Sequence, residues 1–496
     1  MTQNSAQPGG YARLGGSSRK LSLIDVVAQS IGFMGPVFSI AFLVPLLVGI
    51  ISASGKGGGT AAPLSVLLAA IGVLALGWIV AEYTRKIQAA GSLYDYVSDG
   101  LGSRLGVAAG LLYYVGILIL STGLLVLIGG TIHDTLTAEF GHGLLPPAVW
   151  DLLLLVGLAT VLFLGVALSV RAQLTLALIS LTVVLIFFLY VIGKVGGGND
   201  VATAFNPASA PQGWNGVFFG VLYGVLLFTG FETSANLAEE TEHPGRDIPR
   251  AVLFSVLMIA GFYVIGAYAT VAGYHFNLDE LGKNAGAPLF GLAGPAADGG
   301  FGSTGVRRLM ELVVILDMLA VLIGTAVAAS RGFFAMGRDH RLPKVLGVVS
   351  SRGTPLTASG FVVAFGLLVI AVTTWWTSLF ALPETPHYAA IFFWGSTFGG
   401  FALATIYLLM SVGAVRGLRQ SPPAAVYLAA AVGVVVTLAA LFGSVYKVTA
   451  PLIYAPYAAL GIFVVGLVIA WFTPGRAPAK TEFTQLTPAE QGPQRL

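Results

Sequence analysis

The stretch "FTGFETSANLAEE", Phe228 to Glu240, interrupts a strongly apolar part of the chain. The residues before it, from 215 onward, read as a membrane helix, yet here a glycine, an acid, hydroxyls and an amide stand together. The residues that break the apolar pattern are Gly230, Glu232, Thr233, Ser234 and Asn236. Polar groups are costly in lipid, so this cluster indicates a helix that unwinds where it lines a cavity.

Composition places the chain among integral membrane proteins. Of its 496 residues, 56% are hydrophobic and 9% are charged, whereas a soluble domain carries about a quarter charged residues. The net charge is +3 and no basic run contains interleaved aromatic residues, which argues against a nucleic-acid partner. The chain has no cysteine, which excludes disulfides and thiolate metal sites.

The hydropathy pattern predicts an all-α membrane fold with twelve transmembrane helices. Each crossing needs about 20 mostly apolar residues. In chain order, the predicted spans one to twelve are 24–51, 62–84, 105–130, 147–168, 171–193, 215–238, 250–273, 308–333, 357–375, 388–412, 424–445 and 450–472. They form one domain over 21–472, flanked by polar, Gly/Ser- or Pro-rich stretches at 1–20 and 473–496 that we expect to be disordered cytoplasmic tails.

The distribution of lysine and arginine predicts the orientation. With both termini in the cytoplasm, most lysines and arginines between spans fall in the inner loops, as the positive-inside rule requires. We therefore expect a multi-pass protein of the plasma membrane with both termini cytoplasmic. Two inner loops, 85–104 and 334–356, contain enough aromatic and apolar residues to predict short helices lying at the membrane interface.

Two spans are interrupted at matching positions. Span one contains "SIGFMGPVFS", with Gly32, Gly35 and Pro36 near its middle. Proline removes a backbone donor and clashes with the preceding turn, and span six carries Gly230 inside its polar cluster. Either stretch alone is more simply a packing kink. Because spans one and six open two successive five-span blocks, the pair predicts a transporter binding site at the membrane midplane.

Three segments make the chain resemble the amino acid–polyamine–organocation superfamily of secondary transporters. "GFETSANLAEETEHPGRDIPRAV" (230–252) is similar to that family's sixth helix and the loop after it. "SRGFFAMGRDHRLPKVLG…RGTP" (330–355) resembles its eighth helix and loop, and "AGSLYDYV" (90–97) resembles its first cytoplasmic loop. With twelve spans, the resemblance covers nearly the whole chain and implies a bacterial amino acid permease.

The resemblance implies a five-plus-five inverted repeat with discontinuous helices one and six. Repeat one would cover about 21–195, repeat two about 214–412, and two appended helices about 424–472. Unwound helix one would hold a substrate carboxylate and helix-six carbonyls the amine. The implied substrate-binding residues are Gly32, Phe33, Met34 and Gly35 in span one and Phe228, Thr229, Gly230 and Phe231 in span six.

The chain departs from the family pattern at two places. "GFMGP" places bulky Phe33 and Met34 where many members have a tighter glycine-rich run. Proton-coupled members often carry a lysine in helix five, where this chain has Ser180. Candidates that could complete the pocket are Tyr113, Tyr114, Ser121 and Thr122 in span three and Trp394, Ser396 and Thr397 in span ten.

Two acids lie deep in the predicted spans and are candidates for proton coupling or gating. Glu232 could carry a proton, bind a cationic group, or cap the unwound segment. Asp317 could be a counter-ion for an amine or cation, or an outer-vestibule acid paired with Arg307 or Arg308. The six histidines lie outside the predicted spans, so we predict no metal site. Thr325 and Ser330 could contribute to a sodium site, but nothing indicates one.

These features favour secondary active transport, and no covalent chemistry or cofactor. We expect alternating-access transport of an amino acid or related small amine across the plasma membrane, as proton-coupled symport. The alternative is a substrate exchanger for amino acids or polyamines. A channel is less favoured because no repeated ring of charge or carbonyls is present. A membrane enzyme would need clustered His, Asp or Cys on a helix face, which the spans lack. The expected partners are the small-molecule substrate, the lipid bilayer and protons.

Overall fold

A computed structural model describes residues 14, 20–52, 54–383 and 385–473. Nearly all of the two predicted tails lies outside these residues. Every named element in the described part of the chain is a helix, which confirms the all-α fold. The α-helices are α1 Leu23–Met34, α2 Pro36–Val48, α3 Ala62–Lys86, α4 Leu93–Leu101, α5 Ser103–Phe140, α6 Pro147–Leu164, α7 Val166–Val195, α8 Val201–Ala204, α9 Trp214–Leu227, α10 Pro244–Gly273, α11 Leu278–Lys283, α12 Pro288–Ala293, α13 Thr304–Arg338, α14 Leu356–Trp375, α15 His387–Gly417, α16 Pro423–Val445 and α17 Tyr454–Phe472.

Eleven stretches of the described chain are long and apolar enough to cross a membrane, and α1 and α2 together make the first of them. They coincide with eleven of the twelve predicted spans. Span six is the exception, because its helix α9 covers only Trp214–Leu227 before the chain unwinds. Helix α5 also runs past the predicted end of span three to Phe140, so His133 lies within a helix.

The helices differ in how far the protein itself buries them. In the most apolar windows of Leu23–Val48 and Ser103–Phe140, 83% of residues are buried, against 22% in Pro147–Leu164. Backbone groups in lipid must be satisfied within the helix, so an apolar helix such as α6 can face lipid. The centre of the bundle therefore consists of α1, α2, α5 and α13.

Small residues let the central helices approach closely. Helix α5 packs along α15, and a Cβ placed on Gly116 would lie 2.7 Å from the Cβ of Ala402. Close approach at glycine and alanine is the usual packing device between membrane helices. Helix α1 contacts α7, α10 and α13, which fixes its position beside the residues of span eight.

The short helix predicted in loop 85–104 exists, but its predicted environment is wrong. Helix α4 packs between α5 and α15 rather than at the membrane interface. The side chains of Leu93, Tyr94 and Tyr96 are fully buried. Apolar residues in a loop show that a surface is covered, but they do not distinguish lipid from protein as the cover.

Several basic residues lie at one end of the bundle, which we call the basic end; they include Lys20, Lys86, Arg338 and Arg341. Arg338 forms an ion pair of 2.6 Å with Glu239, whose other contacts include the backbone N–H of Ala90 at 3.1 Å. These contacts join α13 to the segments that follow span two and span six.

Candidate functional site

The break in span one is the junction of α1 and α2. Helix α1 ends at Met34, Gly35 adopts a left-handed conformation with φ of 54°, and α2 starts at Pro36. Proline fits the first position of a helix because no donor is needed there, and glycine accepts the positive φ without strain. The predicted interruption at Gly35 and Pro36 is therefore confirmed.

The break in span six follows α9. The chain turns from Phe228 to Glu232, with Gly230 at a φ of 105°, and then forms a 3₁₀ helix over Thr233–Leu237. The hydroxyl of Tyr263 donates to the carbonyl of Leu227 at 2.7 Å. That bond satisfies a carbonyl at the end of α9 that has no partner within the helix. The second predicted interruption is also confirmed.

The two breaks contact each other. The hydroxyl of Ser30 on α1 donates to the carbonyl of Phe231 at 2.7 Å. The ring of Phe33 lies where a side chain on Gly230 would be, since a Cβ there would come 1.9 Å from Phe33 Cδ1. The bulk of Phe33 that departs from the family pattern thus fills the space beside Gly230.

Asp317 lies at the break in span one. Its Oδ2 accepts the backbone N–H groups of Val37 at 3.0 Å and Phe38 at 2.8 Å, and the side chain is fully buried. A carboxylate at a helix N-terminus is stabilised by the free N–H groups and the helix dipole. The alternative of a vestibule acid paired with arginine is wrong, because Arg307 pairs with Glu311 and Arg308 with Glu139.

Glu232 is held by two tyrosines. Tyr113 of α5 donates to its Oε1 at 2.7 Å, and Tyr407 of α15 donates to its Oε2 at 2.6 Å. All three side chains are buried. The acid therefore joins the unwound part of span six to α5 and α15 through bonds that are stronger than those between neutral groups.

A glutamine of span five lies against the break in span one. Gln173 packs so closely on α1 that a Cβ on Gly32 would come 2.1 Å from its Cγ. Its Nε2 donates to the carbonyl of Ala320 at 3.2 Å. Gln29 of α1 donates to the carbonyl of Gly324 at 3.0 Å. These glutamines fix the spacing of α1, α7 and α13.

The sequence profile of the family described as "Amino acid permease" matches residues 30–473, a range that includes both breaks. The chain belongs to the amino acid permease family. Its eleven apolar spans make it a multi-pass membrane protein.

Several relatives of this chain are named as permeases or transporters. It is 27% identical over 311 residues to the branched-chain amino acid permease BcaP of Lactococcus lactis, covering 59% of this chain and 64% of that protein. Identity to BcaP of Bacillus subtilis is 26%, covering 69% of this chain and 76% of that protein. Identity to the vacuolar cationic amino acid transporter 4 of Arabidopsis thaliana is 25%, covering 72% and 58%. The permease thus spans less than two thirds of some of these relatives.

Solved structures show the same fold. A manganese transporter of Eremococcus coleocola, in complex with an aromatic bis-isothiourea compound, aligns with a TM-score of 0.51 at 13% identity. The alignment covers 90% of the permease and 94% of that chain. A histidine-to-alanine mutant of the same transporter gives a TM-score of 0.52 at 14% identity. At this identity the likeness concerns the fold alone.

The eight residues proposed to bind substrate do not form one exposed surface. All are buried except Thr229, which is half-buried. Phe228 packs edge-on against Tyr263, with ring centroids 5.1 Å apart, and the carbonyl of Met34 accepts the hydroxyl of Ser39 at 3.1 Å. Most of the residues at the two breaks are therefore covered by the protein in this structure.

The predicted candidates in spans three and ten have mixed outcomes. Tyr113 reaches Glu232, as described above. Trp394 instead stacks on Phe380, with ring centroids 4.1 Å apart. The hydroxyl of Thr397 donates to the carbonyl of Phe393 in the same helix. Tyr407 is a residue of span ten that reaches the break in span six, and the sequence did not predict it. No local pattern marks it, although a tyrosine well inside a span needs a hydrogen-bond partner.

Three further hydroxyl residues of the spans form contacts within or between helices. Ser180, at the position where proton-coupled members of the family often carry a lysine, donates to the carbonyl of Val313 at 3.0 Å and ties α7 to α13. The hydroxyls of Thr325 and Ser330 donate to carbonyls of their own helix. Among the described residues, no three His, Cys, Asp or Glu side chains cluster as metal ligands would.

Proposed function

We propose that this permease moves an amino acid or a related small amine across the plasma membrane by alternating access. The observation that carries the proposal is the direct contact between the two breaks, through Ser30 and Phe231 and through Phe33 and Gly230. Discontinuous helices that meet at mid-membrane form the binding site in many secondary transporters. The names of the relatives, branched-chain amino acid permease among them, support the same substrate class.

Proton-coupled symport is the mode of transport we favour. Glu232 and Asp317 are fully buried, and among the described residues neither forms an ion pair with a lysine or arginine. Acids placed this way inside a membrane protein commonly carry protons. Exchange of internal for external substrate is the alternative, and the lack of a lysine in span five favours it.

Uptake into proteoliposomes tests the proposal. Purified protein would be given a labelled panel of amino acids and amines in sodium-free buffer, with and without an inward proton gradient. Gradient-driven uptake that Glu232→Gln abolishes, and that the exposed-site control Glu242→Gln leaves intact, supports symport. Uptake that only internal substrate stimulates supports exchange. Absence of uptake for every member of the panel overturns the proposal.

We further infer the five-plus-five repeat and cytoplasmic termini that the sequence predicts. The charges at the basic end support this orientation through the positive-inside rule. Since the chain has no cysteine, single cysteines can report sidedness without background. In intact cells, an impermeant thiol reagent should label Gly197→Cys and spare Gln420→Cys; the reverse result contradicts the orientation.

A further inference from the structure

The backbone donors at the start of α2 are already used. Pro36 has no N–H, and the N–H groups of Val37 and Phe38 both donate to Asp317. The next N–H, that of Ser39, donates to the carbonyl of Gly35 at 2.8 Å. A carboxylate of a transported molecule would therefore find the N-terminus of α2 occupied by a carboxylate of the protein itself.

Two acceptors at the same break, the carbonyls of Gly32 and Phe33, have no donor among the described residues. In a continuous helix the carbonyls of Gly32 and Phe33 would accept from residues four positions later. Pro36 cannot donate, and the N–H of Val37 is turned toward Asp317. Among the described residues no other group donates to these two carbonyls. They lie at the C-terminal end of α1, where the helix dipole favours a cation.

Asp317 adds a free anionic oxygen at this position. Its Oδ1 is buried and has no hydrogen-bond partner among the described residues. Its Oδ2 lies 3.5 Å from the place where a Cβ on Gly35 would be, so the carboxyl group stands beside the break itself. An unpaired buried carboxylate oxygen is costly unless a ligand supplies the missing donor.

The hydrogen-bond donors around Glu232, the second buried acid of the region, are used within the protein as well. Both oxygens of Glu232 accept tyrosine hydroxyls, so the donors of Tyr113 and Tyr407 are also committed to the protein. At the break in span one, the unpaired groups are thus acceptors, because its backbone N–H groups already donate within the protein. Such a site attracts a positively charged group and offers little to a negatively charged one.

We propose that the break in span one binds the ammonium group of the transported molecule, through Asp317 Oδ1 and the carbonyls of Gly32 and Phe33. This assignment rests on the transport function proposed above, and it narrows the class of transported substrates. The cargo is a small amine that lacks a carboxylate beside its ammonium group. A divalent metal ion fits less well, because the described residues contain no cluster of three or more anionic or imidazole ligands.

Matched pairs of compounds test the assignment. Leucine would be compared with 3-methylbutylamine, and ornithine with putrescine, since each amine is its partner without the carboxylate. Binding is followed as a thermal shift of the purified protein, and transport as uptake into proteoliposomes. In both pairs we expect the amine to bind at least about tenfold more tightly than the amino acid, because the carboxylate of the amino acid would be buried without a donor.

The variant Asp317→Asn separates charge from fold. Its amide oxygen still accepts from Val37 and Phe38, so α2 keeps its cap, while the anionic charge is lost. Amine binding should fall about tenfold or more. Glu311→Gln is the matched control, because Glu311 lies on the same helix and pairs with Arg307 near its exposed end. The Glu311→Gln variant should bind amines as tightly as the unmodified protein does.

Each other outcome has a distinct meaning. Tighter binding of the amino acids overturns this assignment and leaves the proposed transport function in place. A stabilising shift with sodium that is lost in Asp317→Asn, without any shift from amines, makes the break a sodium site and also overturns it. If nothing is transported, the transport proposal fails, and the thermal shifts still decide whether the break binds an ammonium group.

Discussion

Replacing Gly230 by alanine should disable the contact between the two breaks. At a φ of 105°, a residue with a Cβ is strained, at a cost of about 1–3 kcal/mol. The added methyl would also lie 1.9 Å from Cδ1 of Phe33, a distance that no pair of carbon atoms tolerates. Forcing the ring aside adds about 1–3 kcal/mol of overpacking, so we expect a loss of about 2–6 kcal/mol.

A second substitution separates the two contributions. Phe33→Ala removes the ring that the new methyl would meet, so in the double variant the overpacking disappears and the backbone strain of about 1–3 kcal/mol remains. Gly230→Ala should therefore cost less in the Phe33→Ala background than in the unmodified protein. The measurement is chemical unfolding in detergent, followed by tryptophan fluorescence, together with uptake in proteoliposomes.

Gly261→Ala provides the matched control. Gly261 lies in helix α10, and a Cβ there would have no heavy atom within 4 Å. Alanine is favoured over glycine inside a helix by about 0.5–1 kcal/mol, so this variant should be neutral or slightly more stable. If Gly230→Ala behaves like Gly261→Ala in both stability and uptake, the contact between the breaks is not what the structure indicates.

Two further substitutions test the buried acids. Tyr407→Phe leaves one oxygen of Glu232 without its donor and should destabilise the protein by about 1.5–3 kcal/mol, the value of a hydrogen bond to a charged group. In a Glu232→Gln background the same change should cost less. Chemical unfolding of the unmodified protein, the two single variants and the double variant measures both costs. Asp95 of α4 lies outside the membrane spans, and burial first, then the neighbouring Asp339, raises its pKa well above the usual range. The folded protein thus retains a proton that the unfolded chain loses, so stability falls as pH rises from the ordinary aspartate pKa toward the raised one. Asparagine at position 95 does not titrate, so Asp95→Asn removes this pH-dependent loss of stability. The apparent melting temperature of Asp95→Asn should therefore exceed that of the unmodified protein by more at pH 8 than at pH 5.

Each expectation has a result that contradicts it. If Tyr407→Phe costs the same with glutamate or glutamine at position 232, the hydroxyl does not act through the charge. If the melting-temperature difference for Asp95→Asn is equal at both pH values, the buried carboxyl does not titrate in this range. Asp279→Asn is a suitable control, because Asp279 is an exposed acid in the short helix Leu278–Lys283.

The interruptions were predictable because their causes are local. Pro36 removes a donor wherever it stands, and Gly35 and Gly230 permit backbone angles that other residues avoid. The partners of the buried acids were not predictable in this way. Asp317 meets the start of α2 across 280 positions of sequence, and no spacing rule connects residues so far apart.

The placement of helix α4 shows a second limit. Its apolar residues correctly predicted a helix but placed it wrongly at the membrane interface, because its position between α5 and α15 depends on the packing of the whole bundle. The same holds for Tyr407, which reaches Glu232 only because α15 lies along α5. A sequence pattern records that a side chain needs a partner, while the tertiary fold decides which one it finds.

The basic end has an osmotic consequence in the proposed transport cycle. Next to the Arg338–Glu239 pair of this end, Glu240 pairs with Arg331 at 3.1 Å, and their side chains are only 2% and 1% exposed. Separating two buried ions is strongly unfavourable unless water replaces the lost partner. An opening of this end that separates the pair therefore takes up water, and each molecule admitted is drawn from the surrounding solution. Solutes excluded from the protein surface lower the water activity and would hold this end shut, so that turnover depends on osmotic pressure as well as on substrate.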